Sequence, residues 1–124
     1  MTGSSAGIGA AIAQTLLAQG WAVTGMDRAA ASIDHVRYDH VQVDLADGAA
    51  TDAAARAAEG AQALVHAAGV LRVAPLGRLK PEDGARMWQL HVDALSRIAN
   101  ILLPAMARAG QGRVVLIGSR VASG

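Results

Sequence analysis

The chain has 124 residues, 52% of them hydrophobic and 17% charged, with a net charge of +1. That is enough apolar material for one small core and too little charge for a disordered chain. The charges are scattered without a basic stripe, which argues against nucleic acid. There is no cysteine, which excludes disulfides and thiolate metal sites, and nothing in the sequence suggests a metal site. No apolar run approaches a membrane span and no secretory signal precedes Gly3, so a soluble, cytoplasmic protein is expected.

The chain opens on Met1-Thr2-Gly3-Ser4-Ser5-Ala6-Gly7-Ile8-Gly9 and passes at once into an Ala/Ile/Leu pattern of helical period. A glycine turn opening a helix directs unpaired N–H groups and the positive helix end at one point, a ready anion site. A helix is predicted over 10–19, with Ile8, Ile12 and Leu16 as its stripe and Ala13 and Leu17 widening it, stopped by Gly20. Trp21 to Met26 reads as a strand ending at Asp27, residues 28–40 as a turn or irregular helix, and 41–43 as a second strand ending at Asp44. An Ala-rich helix follows over 49–59, with Asp47 or Thr51 as cap and Gly60 as stop. Ala63 to His66 is a third strand, running into Ala67-Ala68-Gly69.

Beyond a loop with Pro75 and Gly77, Pro81 suits a first helical turn. One helical stripe then runs through Met87, Leu90, Leu95, Ile98, Leu102 and Met106, with Pro104 expected to kink it and Gly110 to end it. Val114 to Ile117 is the last strand. Strands alternating with helices, each strand nearly all apolar, predict an α/β fold: a doubly wound parallel sheet covered on both faces, in one unit over 1–124. Trp21 and Trp88 are expected to pack, Arg72 to be a surface charge, and His35 and His40 to bind no metal.

The pattern Thr2-Gly3-x-x-x-Gly7-Ile8-Gly9 resembles the cofactor loop of the short-chain dehydrogenase/reductase family. In a doubly wound sheet ligands bind at the carboxyl ends of the strands, where the later motifs lie. Asp27 stands 24 residues beyond Gly3, where a dinucleotide-binding unit carries an acid that accepts from the ribose hydroxyls and repels a 2′-phosphate. NAD is therefore favoured over NADP. Asp44-Leu45 resembles the acid-plus-aliphatic pair at the adenine. His66-Ala67-Ala68-Gly69 resembles the Asn-Asn-Ala-Gly signature, with His66 and Ala67 in place of the two amides.

Ser119, 50 residues after Gly69, stands as the family's catalytic serine does, to donate a hydrogen bond to the substrate oxygen. His91 takes the place of a helical Asn that holds a relay water. The resemblance thus implies that Gly3, Ser5, Gly7, Ile8, Gly9, Asp27, Asp44, Leu45, Ala67, Ala68 and Gly69 bind the cofactor, with Ser119 and His91 catalytic. It implies hydride transfer between nicotinamide and an alcohol or carbonyl substrate. Ala67-Ala68-Gly69-Val70-Leu71-Arg72 looks like the matching stretch of dehydrogenases acting on cyclic dihydrodiols such as dihydro-dihydroxybenzoate.

The family's strand before Thr2 and its Tyr-x-x-x-Lys pair beyond Ser119 are not in this sequence. The expectation is an incomplete domain from a longer gene, inactive alone and a homo-dimer or tetramer when complete. The competing reading is a non-catalytic dinucleotide-binding fragment or scaffold.

Overall fold

The computed structural model describes residues 1–120. In chain order they form α1 (Gly7–Ala18), β1 (Val23–Asp27), β2 (Tyr38–Gln42), α2 (Gly48–Ala57), β3 (Ala63–His66), α3 (Pro81–Trp88), a π-helical turn (Gln89–Asp93), α4 (Ala94–Ala109) and β4 (Arg113–Leu116).

All strand pairs are parallel. β1 pairs with β2 from Val23↔Tyr38 to Asp27↔Gln42, and β3 pairs with β4 from Ala63↔Arg113 to His66↔Leu116. Thr2 bridges Met26 on one side and His66 on the other, giving the order β2-β1-Thr2-β3-β4. The junction is a short run of backbone bonds: Met26 N to Met1 O at 2.8 Å, Gly3 N to Met26 O at 2.8 Å, and Thr2 N to Val65 O at 2.9 Å. Behind Thr2 the two ladders part around a cavity of about 320 Å³, lined by Val23 and Thr24 of β1 and Ala63 and Val65 of β3.

Successive strand residues point to opposite faces, and the core accordingly forms two clusters. Met26, Leu64, Ile98, Leu102 and Met106 gather with Ala54 and Ala55 of α2 on one side. Ala13, Leu17, Val23 and Tyr38 gather under α1 on the other. The small alanines of α2 let its backbone approach α4 closely. Arg97 of α4 ties the pair by donating to Asp93 at 2.9 Å and Asp52 at 3.1 Å.

Several local expectations are corrected. The second strand begins at Tyr38, because the Tyr38 ring is buried against Gly25, where a Cβ would collide with its hydroxyl. The buried line of α1 is Gly9, Ala13 and Leu17, while Ile8 is 65% exposed. Asp47, not Thr51, caps α2, accepting from Ala50 N, and Thr51 is buried. Pro104 lies inside an unbroken α4, and the interruption comes earlier, at the π turn. Trp21 and Trp88 are exposed, and so is every residue of β4.

Candidate functional site

At Gly3 and Gly9 the glycine turn leaves no room for a side chain. Gly3 has φ +71°, and a Cβ there would stand 2.7 Å from Ala68 N. Left-handed backbone is costly for other residues, and the obstacle here is backbone that cannot rotate away. A Cβ on Gly9 would run into the Gly3 carbonyl. Gly7, at φ +55°, has nothing within 4 Å of its would-be Cβ, so its outer side is open. Ala6 at the start of α1 offers no side-chain cap, and no acid occupies the first turn. The first N–H groups of α1 are therefore left without a side-chain acceptor among the described residues. Ser5 Oγ, buried in the same turn, has no hydrogen-bond partner.

Asp27 closes β1 beside this turn. Its Oδ2 accepts from Ser5 N at 3.0 Å and its Oδ1 from Ala29 N at 2.9 Å. Each carboxylate oxygen keeps a further lone pair for a ligand. Below the turn, Tyr38 Oη lies 2.9 Å from Ser4 Oγ and 2.8 Å from His40 Nδ1, so a side chain from β2 supports the loop from behind.

Gly3, Asp27, Asp44, Leu45, Ala67, Ala68 and Gly69 line one cleft of about 290 Å³ at the carboxyl ends of the strands. Asp44 is exposed, its Oδ1 accepting from Ala46 N at 3.0 Å, whereas the Leu45 side chain is only 4% exposed and belongs mainly to the core. Ser5, Gly7 and Gly9 lie on the turn, and the exposed Ile8 side chain extends from α1. A dinucleotide fits this donor set: an uncapped helix start for its phosphates and a carboxylate for its ribose.

A second group of residues comes from the ends of β3 and β4 and from the π turn. The His91 ring lies against Gly69, where a Cβ would strike its Cε1, and Nε2 is 2.9 Å from Val70 O. The carbonyl can only accept, so Nε2 carries the proton and Nδ1 is left as an acceptor. The last β3–β4 pair is His66↔Leu116, so Gly69 and Ser119 each stand three residues past it at the same end of the sheet. Ser119 is exposed.

His66, a departure from the family pattern in sequence, has buried partners in the fold. Thr2 Oγ1 and His66 Nδ1 are 2.8 Å apart, and both residues are buried. A polar His closing the apolar run Ala63 to Val65 is the signal the sequence offers. Arg72 and Arg86 also line the cleft, Arg72 standing 3.8 Å from Asp83.

The family model for short chain dehydrogenase matches residues 1–123. This chain belongs to that family. It is 31% identical over 131 residues to 3-oxoacyl-acyl-carrier-protein reductase FabG of Escherichia coli, covering 98% of this chain and 54% of that protein. It is 30% identical over 126 residues to D-erythrulose reductase of Gallus gallus, covering 97% and 51%. The chain thus spans about half the length of these curated relatives. A short-chain dehydrogenase from Streptomyces avermitilis superposes with a TM-score of 0.87 at 31% identity, over 95% of this chain and 47% of that one. A short-chain dehydrogenase from Leptospira borgpetersenii with bound NAD+ shares the fold, with a TM-score of 0.84 at 18% identity over 95% of this chain and 49% of that one. As expected, the chain has a Rossmann-like parallel α/β fold of the oxidoreductase family that binds NAD or NADP. Among the described residues no helix is long and apolar enough to cross a membrane.

Proposed function

We propose that residues 1–124 are one cofactor-binding unit of an NAD-dependent oxidoreductase that moves hydride between nicotinamide and an alcohol or carbonyl. The observation that carries this is Asp27, held by Ser5 N and Ala29 N at the mouth of the cleft. A carboxylate fixed there accepts from a pair of ribose hydroxyls and repels a 2′-phosphate, which favours NAD. The uncapped start of α1 takes the phosphates.

When bound, the nicotinamide supplies the hydride chemistry. Ser119 donates a hydrogen bond to the substrate oxygen and stabilises charge there as the reaction proceeds. His91, its Nε2–H spent on Val70 O, presents Nδ1 to a water. Asp44 and Leu45 flank the adenine, and Ala67, Ala68 and Gly69 let the backbone pass close to the ligand.

The relatives named as reductases of an oxoacyl group and of erythrulose support a carbonyl or alcohol substrate. Arg72 and Arg86 in the cleft support an acidic one, such as a carboxylated cyclic dihydrodiol. A cytoplasmic setting and a homo-dimer or tetramer built on the 82–109 helical region go with this reading, the latter supported by Trp88 at 62% exposure.

The test is a titration of both cofactors against the wild type and Asp27→Ala. NAD should bind the wild type more tightly by about 1–3 kcal/mol, roughly 5- to 150-fold. The variant should lose most of that preference. Tighter binding of NADP by the wild type would remove the assignment.

A further inference from the structure

Thr2 Oγ1 lies 3.1 Å from the N–H of Ala67 and 3.1 Å from the N–H of Ala68. Two N–H donors occupy both lone pairs of a hydroxyl. Its one proton is left for His66 Nδ1, 2.8 Å away, so Nδ1 is an acceptor. On the other side of the ring, Nε2 stands 3.0 Å from the Leu90 carbonyl, which can only accept. Nε2 must carry the hydrogen. One proton arrangement satisfies this chain of donors and acceptors, with Thr2 0% and His66 5% exposed.

The two ends of this chain matter more than its middle. Thr2 immediately precedes Gly3 of the cofactor turn, and Leu90 immediately precedes His91 within the π turn. We propose that His66 is a positioning residue, held as the neutral Nε2–H tautomer, that fixes the glycine turn and the π turn relative to each other through one imidazole. An amide in its place has the same acceptor-and-donor polarity, but both atoms hang on a single carbon. The imidazole spreads them across a ring, and it can also titrate.

A second proton, on Nδ1, would point at a hydroxyl whose lone pairs are already engaged, and the Thr2 link would break. The charged groups facing the ring act in the same direction. Burial pushes His66 below its ordinary value of 6.5. The hydrogen bond to Leu90 opposes this, while charge on His91 of the π turn and on the α-amino group of Met1 adds to it. Among the described residues, no carboxylate hydrogen-bonds to the ring. With the folded value below the unfolded one, the stabilisation by neutral His66 is complete above pH 6.5. It is lost as the pH falls from there through the folded value.

The inference rests on the cofactor reading for its consequence, but not for its geometry. Nitrogen-15 NMR of histidine-labelled 124-residue chain at pH 7.5, with no cofactor present, should show His66 with a bare Nδ1 and a protonated Nε2. The opposite tautomer, or an averaged signal from both, overturns the proposal. NAD titrations from pH 8 down to the pH at which the same NMR shows His66 taking up its second proton then compare the wild type with His66→Gln and His66→Asn, which keep one hydrogen bond each and cannot titrate. Wild-type affinity should fall by up to about tenfold per pH unit once the imidazole protonates, beyond any fall shared with the variants. Identical pH profiles in the wild type and His66→Gln overturn the proposal even if the tautomer is as expected. The NMR arm separates the two readings. A chain that binds no NAD at any pH defeats the cofactor assignment, and the bridge is then judged on the tautomer.

Discussion

Around the glycine turn, a set of polar groups finds its partners within the chain. Ser5 N and Ala29 N hold Asp27, Tyr38 Oη meets Ser4 Oγ, and Thr2 Oγ1 serves two amides and an imidazole. At the opposite side of the sheet β4 is paired, among the described residues, along one edge only, and Val114, Val115 and Leu116 are 45–56% exposed. The loop before α3 resembles β4 in this, with Leu71, Val73 and Leu76 all exposed. The first region is shaped by short-range backbone geometry, so its form depends on a few residues that tolerate no change. The second is apolar surface whose side chains touch little, so its residues are exchangeable as far as the stability of this chain goes.

Substitutions can break that contrast. Gly3→Ala should have the largest effect, because strain at φ +71° adds to a collision with Ala68 backbone. A loss of about 4 kcal/mol or more is expected in urea unfolding. A mild loss would mean that the turn can shift. Leu64→Ala, in the buried stretch of β3 at 2% exposure, should cost about 3 kcal/mol through lost burial and a residual cavity. Tyr38→Phe leaves Ser4 Oγ and His40 Nδ1 without their shared hydroxyl partner and should cost about 1 kcal/mol.

Gly7→Ala sharpens the comparison, since its Cβ would meet nothing. Stability should drop by only about 1 kcal/mol, whereas NAD affinity measured by calorimetry should drop more steeply than in Tyr38→Phe. Equal affinity for wild type and Gly7→Ala would place the phosphates elsewhere. The smallest effect belongs to Leu116→Ala, 56% exposed on β4, which should stay within about 0.5 kcal/mol of the wild type.

The sequence was most legible where a local rule decides the structure. β3 was readable because Ala63 to His66 is a short apolar run between a glycine stop and a glycine turn. The glycine turn and its sharp entry into α1 were readable for the same reason. β2 starts three residues before the sequence predicts, because Tyr38-Asp39-His40 looks polar. Its burial comes from a distant partner, the bare face of Gly25.

The long stripe through 82–109 was read as one helix with Leu95 in line. The buried positions are Leu90, Ala94, Ile98, Leu102 and Met106, at intervals of four, and Leu95 is only half-buried. An ideal α-helix would carry such a run about 40° round per step, and the wider π turn resets the phase where a periodic reading cannot see it. Within the candidate site, the cleft residues from Gly3 to Gly69 were picked by motif order. The Thr2–His66–Leu90 chain was not, because its partners are separated by 64 and 24 positions.

Thr2 also bears on how the molecule opens. It pairs with both Met26 and His66, while β1–β2 and β3–β4 are complete ladders without it. In the 124-residue chain, a sheet joined in this way has a seam that can part while both ladders stay closed, a sub-global opening of lower free energy than unfolding. Amide hydrogen exchange should resolve the two events. Gly3, Ala67 and Ala68, whose N–H groups bond across the seam, should exchange together and sooner than the buried amides of β1 and β3 that bond within the ladders. The residue that joins the sheet thus also sets where it first comes apart.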